Sequence, residues 1–108
     1  LMNFLITYQI EALINYHSAA LGIFPGGQPP DPVSVSLANA VADISDYPYP
    51  PIETGCQYTG QLIDWASDQG IAAIDIELTN HDDTDLIQNI QVMQAFLSWA
   101  PPKLDPAE

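Results

Sequence analysis

The nine residues from Gly70 to Leu78, Gly-Ile-Ala-Ala-Ile-Asp-Ile-Glu-Leu, constrain the fold of this chain more than any other stretch. An apolar run of this length, rich in β-branched isoleucine, is typical of a buried strand. Because successive side chains of a strand point to opposite faces, one face is wholly apolar and the other ends in two carboxylates. The first face comprises Ala72, Ile74, Ile76 and Leu78, and the second comprises Ile71, Ala73, Asp75 and Glu77.

Two interpretations of the carboxylate-bearing face stay open at this point. Charged side chains are rarely buried unless they are paired, bind a metal or take part in catalysis, which favours a site at Asp75 and Glu77. The alternative is an edge strand whose second face is solvated. The residue pattern of the strand does not separate the two.

A second apolar segment, Ala12 to Tyr16, is predicted to be a buried strand and is followed directly by His17. Ligand sites in open α/β sheets lie outside the carboxyl ends of the strands. The pattern therefore suggests that His17 and Glu77 lie side by side, as a metal ligand and a general base. The competing interpretation is structural, because a lone histidine is more often a hydrogen-bonded structural residue than a ligand.

Two helices are predicted between these strands. The first is capped by Ser34 or Ser36 and ends near Asp46, because the prolines that follow cannot continue a helix. Its apolar stripe comprises Leu37, Val41 and Ile44. The second helix runs from about Gly60 to Gln69, with Thr59 as its N-cap and Gly70 at its C′ position. The segment from Tyr47 to Thr59, between the two helices, is a long loop of the kind that often binds ligands.

A third helix follows the Gly70–Leu78 strand, after a polar loop at residues 79–83. Asp83 or Thr84 caps it, and Pro101 ends it. Its predicted apolar stripe comprises Leu86, Ile90, Met93 and Leu97. Strands that alternate with helices in this order predict an α/β fold with a sheet flanked by helices, in which residues 1–100 form one domain and residues 101–108 a tail.

The charge balance excludes several classes of function. The 108-residue chain has 14 acidic residues and a single lysine, which gives a formal net charge of -13. Nucleic acids and anionic membranes need a cationic surface, so neither is expected as a partner. No run approaches the roughly 18 apolar residues of a membrane span. Cys56 is the only cysteine, so an intrachain disulfide and a cysteine-based zinc site are both excluded.

Three blocks of the sequence resemble, in order, the C-terminal half of the M14 zinc carboxypeptidases. The first is Ile-Asn-Tyr-His-Ser at residues 14–18, followed by Phe-Pro-Gly-Gly at 24–27. The second is Thr-Gly-Gln-Leu-Ile-Asp-Trp-Ala at 59–66, and the third is Ile-Asp-Ile-Glu-Leu at 74–78. The resemblance covers most of residues 10–100 and implies part of a mixed β-sheet from which the N-terminal part of the family's domain is missing.

The resemblance also implies roles for single residues. His17 would be one of three protein ligands of a catalytic zinc ion, and Glu77 would be the general base that takes a proton from the zinc-bound water. Ser18 would shape the substrate subsite through its backbone. The position of the family's lid tyrosine falls on Cys56, or on Tyr58 if the register is shifted.

Two features of the family are absent, and they change what the resemblance implies. The chain has no His-x-x-Glu segment for the other zinc ligands, and it has no arginine to bind the substrate carboxylate. We therefore expect the remaining ligands to lie outside this chain, and the chain alone to be inactive as a peptidase. Self-association, or pairing with a missing N-terminal part, is expected because a partial sheet exposes apolar surface. The resemblance to this family also implies secretion or a periplasmic location.

The expected substrate is a peptide cut near its C-terminus. By the resemblance, Ile63 and Asp75 lie near the pocket for the terminal side chain. Ile63 favours an apolar side chain, whereas an unpaired, buried Asp75 favours a basic or amino-bearing one. The alternatives are an amidase or deacylase of the same superfamily and a non-catalytic domain that binds a peptide or a partner at its sheet edge.

Overall fold

The computed structural model describes residues 1–53 and 55–103 as a three-stranded mixed sheet flanked by four helices. In chain order the elements are α1 (Met2–Thr7), β1 (Ala12–Ser18), β2 (Gly22–Pro25), α2 (Pro32–Ala42), α3 (Leu62–Asp68), β3 (Ala72–Leu78) and α4 (Leu86–Ser98). The predicted α/β class and the mixed sheet are confirmed. Residue 54 of the predicted long loop and residues 104–108 of the predicted tail lie outside the described residues.

The carboxylate-bearing stretch forms the central strand of the sheet. The strand order is β1-β3-β2, with β1 parallel to β3 and β2 antiparallel to it. The first five residues of β3 are buried, and the last two, Glu77 and Leu78, are half-buried. The edge-strand interpretation of this stretch is therefore wrong, because both edges of β3 are paired with other strands.

The first predicted strand, β1, lies at an edge of the sheet and is not buried. Ala12 to Asn15 are half-buried, whereas Tyr16 to Ser18 are exposed. Among the described residues, β1 pairs with β3 alone. Its apolar sequence suggested burial on both faces, but sequence composition does not tell whether a strand has neighbours on both of its edges.

Strand β2 was not expected from the sequence, because four residues are too few for a period-two pattern. Its outer edge is covered by a proline-containing segment, residues 48–52. The backbone N–H of Ile23 donates to the carbonyl of Pro48 at 3.0 Å, and the N–H of Ile52 donates to the carbonyl of Leu21 at 3.3 Å. This covering is tight, since a Cβ added to Gly22 would lie 2.6 Å from Cβ of Pro51.

The two faces of β3 build two separate cores, as the alternation predicted. Ala72, Ile74 and Ile76 pack with buried residues of α2 and with Val92 of α4. On the other face, Ile71 and Ala73 pack with buried residues of α3 and with Leu5 of α1. This second core covers only the first part of β3. The carboxyl end of the second face, with Asp75 and Glu77, extends beyond it.

Helix α2 begins three residues earlier than its predicted cap region suggested. Asp31 is the N-cap, and its carboxylate accepts a hydrogen bond from the backbone N–H of Ser34 at 2.9 Å. Ser34 itself is fully buried, and its hydroxyl joins three elements: it is bonded to Ser67 of α3 at 2.9 Å and accepts the N–H of Ala73 of β3 at 3.0 Å. The helix ends at Ala42, before the predicted end near Asp46. Ile44 of the predicted apolar stripe therefore lies outside the helix and is 38% exposed.

Helix α3 begins after Gln61, so Thr59 is not its N-cap. Gly70 follows the C-cap residue Gln69 with φ of 81°, which confirms its predicted C′ position, since a left-handed backbone there favours glycine. Among the described residues, no helix combines the length and the apolar character that crossing a membrane requires.

Helix α4 faces the core with residues other than those predicted. The predicted stripe is exposed, at 65% for Leu86, 50% for Ile90, 46% for Met93 and 80% for Leu97. The buried position is Val92, and Phe96 and Trp99 are packed against the same core. The spacing predicted an apolar flank that α4 does have. The helix has a second apolar flank as well, and periodicity does not tell which of the two faces the sheet. The N-cap is Asp85, not Asp83 or Thr84.

Candidate functional site at the rim of the sheet

The site lies where β1 and β3 end, on the face of the sheet that α3 leaves uncovered. In the parallel register, His17 is opposite Glu77 and Asn15 is opposite Asp75. The four side chains therefore share one face, because opposite residues of paired strands project to the same side. His17 is half exposed, at 51% of its side chain, whereas the side chain of Asp75 is 11% exposed.

Asn15 connects the imidazole to the buried carboxylate. Its Nδ2 donates to Oδ1 of Asp75 at 3.0 Å and lies 2.8 Å from Nε2 of His17. Nε2 of His17 is itself 3.8 Å from the same Asp75 oxygen. Because an amide nitrogen can only donate, the contact with Asn15 is a hydrogen bond when Nε2 of His17 is unprotonated, as in the tautomer that carries its proton on Nδ1.

The pKa of the Asp75 carboxyl is raised, chiefly because burial disfavours its charged form. The hydrogen bond from Asn15 and the proximity of His17 act in the opposite direction and lower it. The expectation that Asp75 is unpaired is therefore wrong. A cationic substrate group would have to compete with Asn15 for this carboxylate.

Glu77 is held by the chain that follows β1. The backbone N–H of Ala20 donates to Oε2 of Glu77 at 3.1 Å. The side chain is half-buried, so the carboxylate is both oriented by the protein and reachable from solvent. A carboxylate with one oxygen held by the backbone and the other available suits proton transfer.

Ser18 and His81 meet on the other side of the rim. The side chain of Ser18 projects to the face opposite His17, and its Oγ lies 3.1 Å from Nδ1 of His81. Both groups are exposed, as expected for the polar loop predicted at residues 79–83. The contact fastens the loop at residues 79–83 to the end of β1 and does not bring His81 to the His17 face.

The remaining predicted site residues lie beside the rim. Ile63 is 1% exposed and belongs to the core with Ala66, while its edge lines a cavity of about 310 Å³ together with Phe24 and Tyr49. Tyr58 is 40% exposed, and its ring meets that of Phe24 edge-on, with centroids 6.4 Å apart. Because Phe24 is the register partner of Asp75, this stacking brings Tyr58 toward the site.

A complete metal centre is not present among residues 1–53 and 55–103. No group of three or more histidine, cysteine, aspartate or glutamate side chains in these ranges is arranged to hold a metal ion. His17 contributes the one imidazole on this face of the rim. One imidazole is fewer than the three protein ligands that a catalytic zinc site usually needs.

Asn15 was missed by the sequence analysis, although a signal was available. It precedes His17 by two residues, so in a strand the two side chains share a face. An amide between an imidazole and a carboxylate was to be expected once β1 and β3 were paired in register.

Comparisons with known proteins assign no family to this chain. No model of a known protein family matches it, no curated protein does, and no solved structure does.

Proposed function

We propose that this chain carries one zinc ligand, His17, and the general base, Glu77, of a carboxypeptidase-like hydrolase that cuts peptides near their C-terminus. The observation that carries the proposal is their position opposite each other at the carboxyl ends of adjacent parallel strands. In this position a group bound by the imidazole would be within reach of the carboxylate.

Asp75 and Asn15 would orient the histidine. If Nδ1 binds the metal, Nε2 keeps the proton of the ring and needs an acceptor. Oδ1 of Asp75, 3.8 Å from Nε2, is a carboxylate on the same face that could accept it. Asn15, now bonded to both groups, would then turn its amide away from Nε2. Histidine ligands commonly donate to a carboxylate in this way.

Glu77 would transfer the protons of the reaction. Zinc, when bound, lowers the pKa of a bound water and polarises the scissile carbonyl. Glu77 keeps Oε2 on the N–H of Ala20, which leaves Oε1 to take the proton from the attacking water. The same oxygen would deliver that proton to the leaving amine. Ser18 is proposed to contact the substrate through its backbone, and Tyr58 and Ile63 through side chains at the borders of the rim.

The two further zinc ligands would come from residues beyond this chain, because one imidazole does not hold a catalytic zinc ion tightly. A basic or amino-bearing terminal side chain remains the proposed preference, with Oδ2 of Asp75 as its partner, since Oδ1 faces Asn15 and His17. Compared with the unchanged chain in the complete enzyme, Asp75→Ala should then lower turnover of basic substrates more than that of apolar ones.

A site-specific test is NMR of the two histidine rings during a zinc titration. We expect the ¹⁵N signals of His17 to shift and those of His81 to stay in place, because only His17 lies opposite Glu77. His17→Ala should abolish the site-specific response, and His81→Ala serves as the matched control. Equal shifts of both rings, or a shift of His81 alone, would contradict the proposal.

The same samples test whether the chain is complete as a catalyst. With one imidazole at the rim, the purified 108-residue chain should show no zinc-dependent hydrolysis of C-terminal peptide bonds. Hydrolysis that is lost in Glu77→Gln would mean that the chain itself supplies the other ligands.

The alternative is a non-catalytic domain that binds a partner, and the observation in its favour is the outer edge of β1, with which no strand of the described residues pairs. Binding that survives both His17→Ala and Glu77→Gln would favour it over the hydrolase.

A further inference from the structure

Two surfaces that none of residues 1–53 and 55–103 covers lie on the same side of the molecule: the outer edge of β1 and one flank of α4. The α4 flank is formed by Leu86, Ile90, Met93 and Leu97, all of them exposed. The hydroxyl of Tyr16 on β1 donates to Oδ1 of Asn89 at 2.9 Å. Asn89 and Met93 are neighbours on the helix surface, four residues apart, so β1 lies beside this flank.

The opposite flank of α4 is directed toward α2. A groove lined by Ile44, Gln91 and Ala95 separates the end of α2 from this side of the helix. The α4 flank and the β1 edge therefore form one continuous surface that no described element covers.

The β1 edge also lacks the features with which proteins usually protect a sheet edge. Prolines, lysines and bulges serve this purpose, and the sequence of β1, Ala-Leu-Ile-Asn-Tyr-His-Ser, contains neither proline nor lysine. The other edge of the sheet, on β2, is covered by residues 48–52. The exposed edge of this sheet is thus on β1.

We propose that a second copy of this chain occupies this surface. The two β1 strands pair antiparallel, which makes one six-stranded sheet, and the two α4 helices pack antiparallel on it. Both contacts are related by a single two-fold axis, as in most soluble homodimers. The inference does not rest on the proposed hydrolase function.

The spacing of the α4 flank suits such a pairing. Its residues are separated by four, three and four positions, which reads the same in both directions. In an antiparallel pair, Leu86 of one copy therefore meets Leu97 of the other, and Ile90 meets Met93. Every apolar side chain of the flank then has an apolar partner.

The same two-fold axis can also relate the two β1 strands. Antiparallel pairing centred on Asn15 places Ile14 opposite Tyr16 and Leu13 opposite His17 of the other copy. Because Tyr16 is bonded to Asn89, the residue after Asn15 lies beside the first turn of α4, less than one helical turn from the midpoint between Ile90 and Met93. The two-fold axis can therefore pass through both contacts, and it leaves the two His17–Glu77 rims on the same face of the sheet.

The charge distribution favours a second copy over a cationic partner. β1 and α4 contain no aspartate, glutamate, lysine or arginine, although the chain carries a formal net charge of -13. A cationic partner would be drawn to the acidic surface elsewhere and not to this neutral one. Two copies with the same charge, in contrast, can approach closely only through a neutral surface.

Sedimentation velocity and light scattering of the 108-residue chain test the proposal. We expect a dimer, and a weakening of at least roughly 100-fold in Ile90→Glu and in Met93→Lys, because each places uncompensated charges in the interface. Mixing the two variants should restore a dimer, since position 90 of one copy meets position 93 of the other. Gln91→Glu adds the same charge on the α2 side of the helix and should leave the dimer intact.

Circular dichroism shows whether each variant is folded, and folding is expected because Ile90 and Met93 are exposed. A monomeric wild-type chain would overturn the proposal, as would a dimer that Ile90→Glu leaves intact. Failure of the two variants to recombine would overturn the antiparallel pairing of α4. A flank covered by a different protein, with the chain monomeric, would assign the surface to another occupant.

Discussion

Asn15 shows how one amide can set the state of two ionisable groups. It donates to Asp75 and approaches Nε2 of His17, so it stabilises the charged carboxylate and favours the imidazole tautomer in which Nε2 is the acceptor. Burial acts against the charged form of Asp75. The balance of these effects can be measured, because a residue whose pKa differs between the folded and unfolded states makes stability depend on pH.

The raised pKa of Asp75 predicts that this residue destabilises the fold as pH rises. Its folded-state pKa lies above the unfolded value, so its contribution is most favourable below an unfolded pKa of about 3.9 and is lost as pH rises through the folded pKa. Asp75→Asn does not ionise. The free energy of unfolding of Asp75→Asn, measured relative to wild type, should therefore be higher above the folded-state pKa of Asp75 than below the unfolded-state pKa of about 3.9.

Urea denaturation at a series of pH values measures this difference, with Asp82→Asn as an exposed control on the loop after β3. A difference between wild type and Asp75→Asn that is constant with pH would contradict a raised pKa.

The sequence predicted much of the site at the residue scale but not its pairing. Asp75, Glu77 and His17 stand out because they are polar residues at the ends of apolar runs. The Asn15 bridge depends on the register between β1 and β3, which brings together residues 60 positions apart. Such a register follows from the packing of the whole sheet, so the neighbouring residues do not specify it.

At the scale of secondary-structure elements, Ser34 is the strongest link between layers. Its hydroxyl lies among α2, α3 and β3, and it accepts the buried N–H of Ala73. In the sequence Ser34 has the features of a helix cap, but Asp31 takes that role. A side chain at the third helical position can face either solvent or the sheet, and the chain path decides which.

Ser34→Ala should destabilise the fold by about 1–3 kcal/mol, because it leaves the N–H of Ala73 buried without an acceptor. Ser36→Ala on the same helix is the matched control, since Ser36 is only half-buried and its hydroxyl accepts a longer hydrogen bond, 3.3 Å, from Trp99. Chemical denaturation of both variants gives the two free energies. Equal losses would mean that Ser34 does not link the layers.

The elements themselves were predictable to different degrees. The two faces of β3 follow from strict alternation, and they are as predicted. The orientation of α4 does not follow from its sequence, because the helix has apolar side chains on two flanks and lacks charges to mark a solvent face. The position of β1 at an edge depends on the number of strands in the sheet, which no local pattern encodes.

At the scale of the whole molecule, the net charge of -13 opposes any self-association. The proposed dimer brings two such charges together across a neutral interface, so the remaining repulsion acts over a distance and is screened by salt. Raising NaCl from about 0.02 M to about 0.5 M, where the Debye length shortens severalfold, should tighten the dimer.

Sedimentation equilibrium at both salt concentrations measures this effect, with Gln91→Glu as a variant of greater negative charge and therefore of steeper salt dependence. Weaker association at high salt would mean that oppositely charged groups hold the copies together, which the neutral composition of β1 and α4 argues against.

The segment at residues 48–52 has a consequence for the growth of assemblies. A sheet with two open edges can add molecules at both ends without limit, and that is the route to fibres. Here the carbonyl of Pro48 and the N–H of Ile52 already form hydrogen bonds with the backbone on the β2 side of the sheet. Pairing through β1 therefore covers the open sheet edge of both copies, so assembly by this route stops at two molecules.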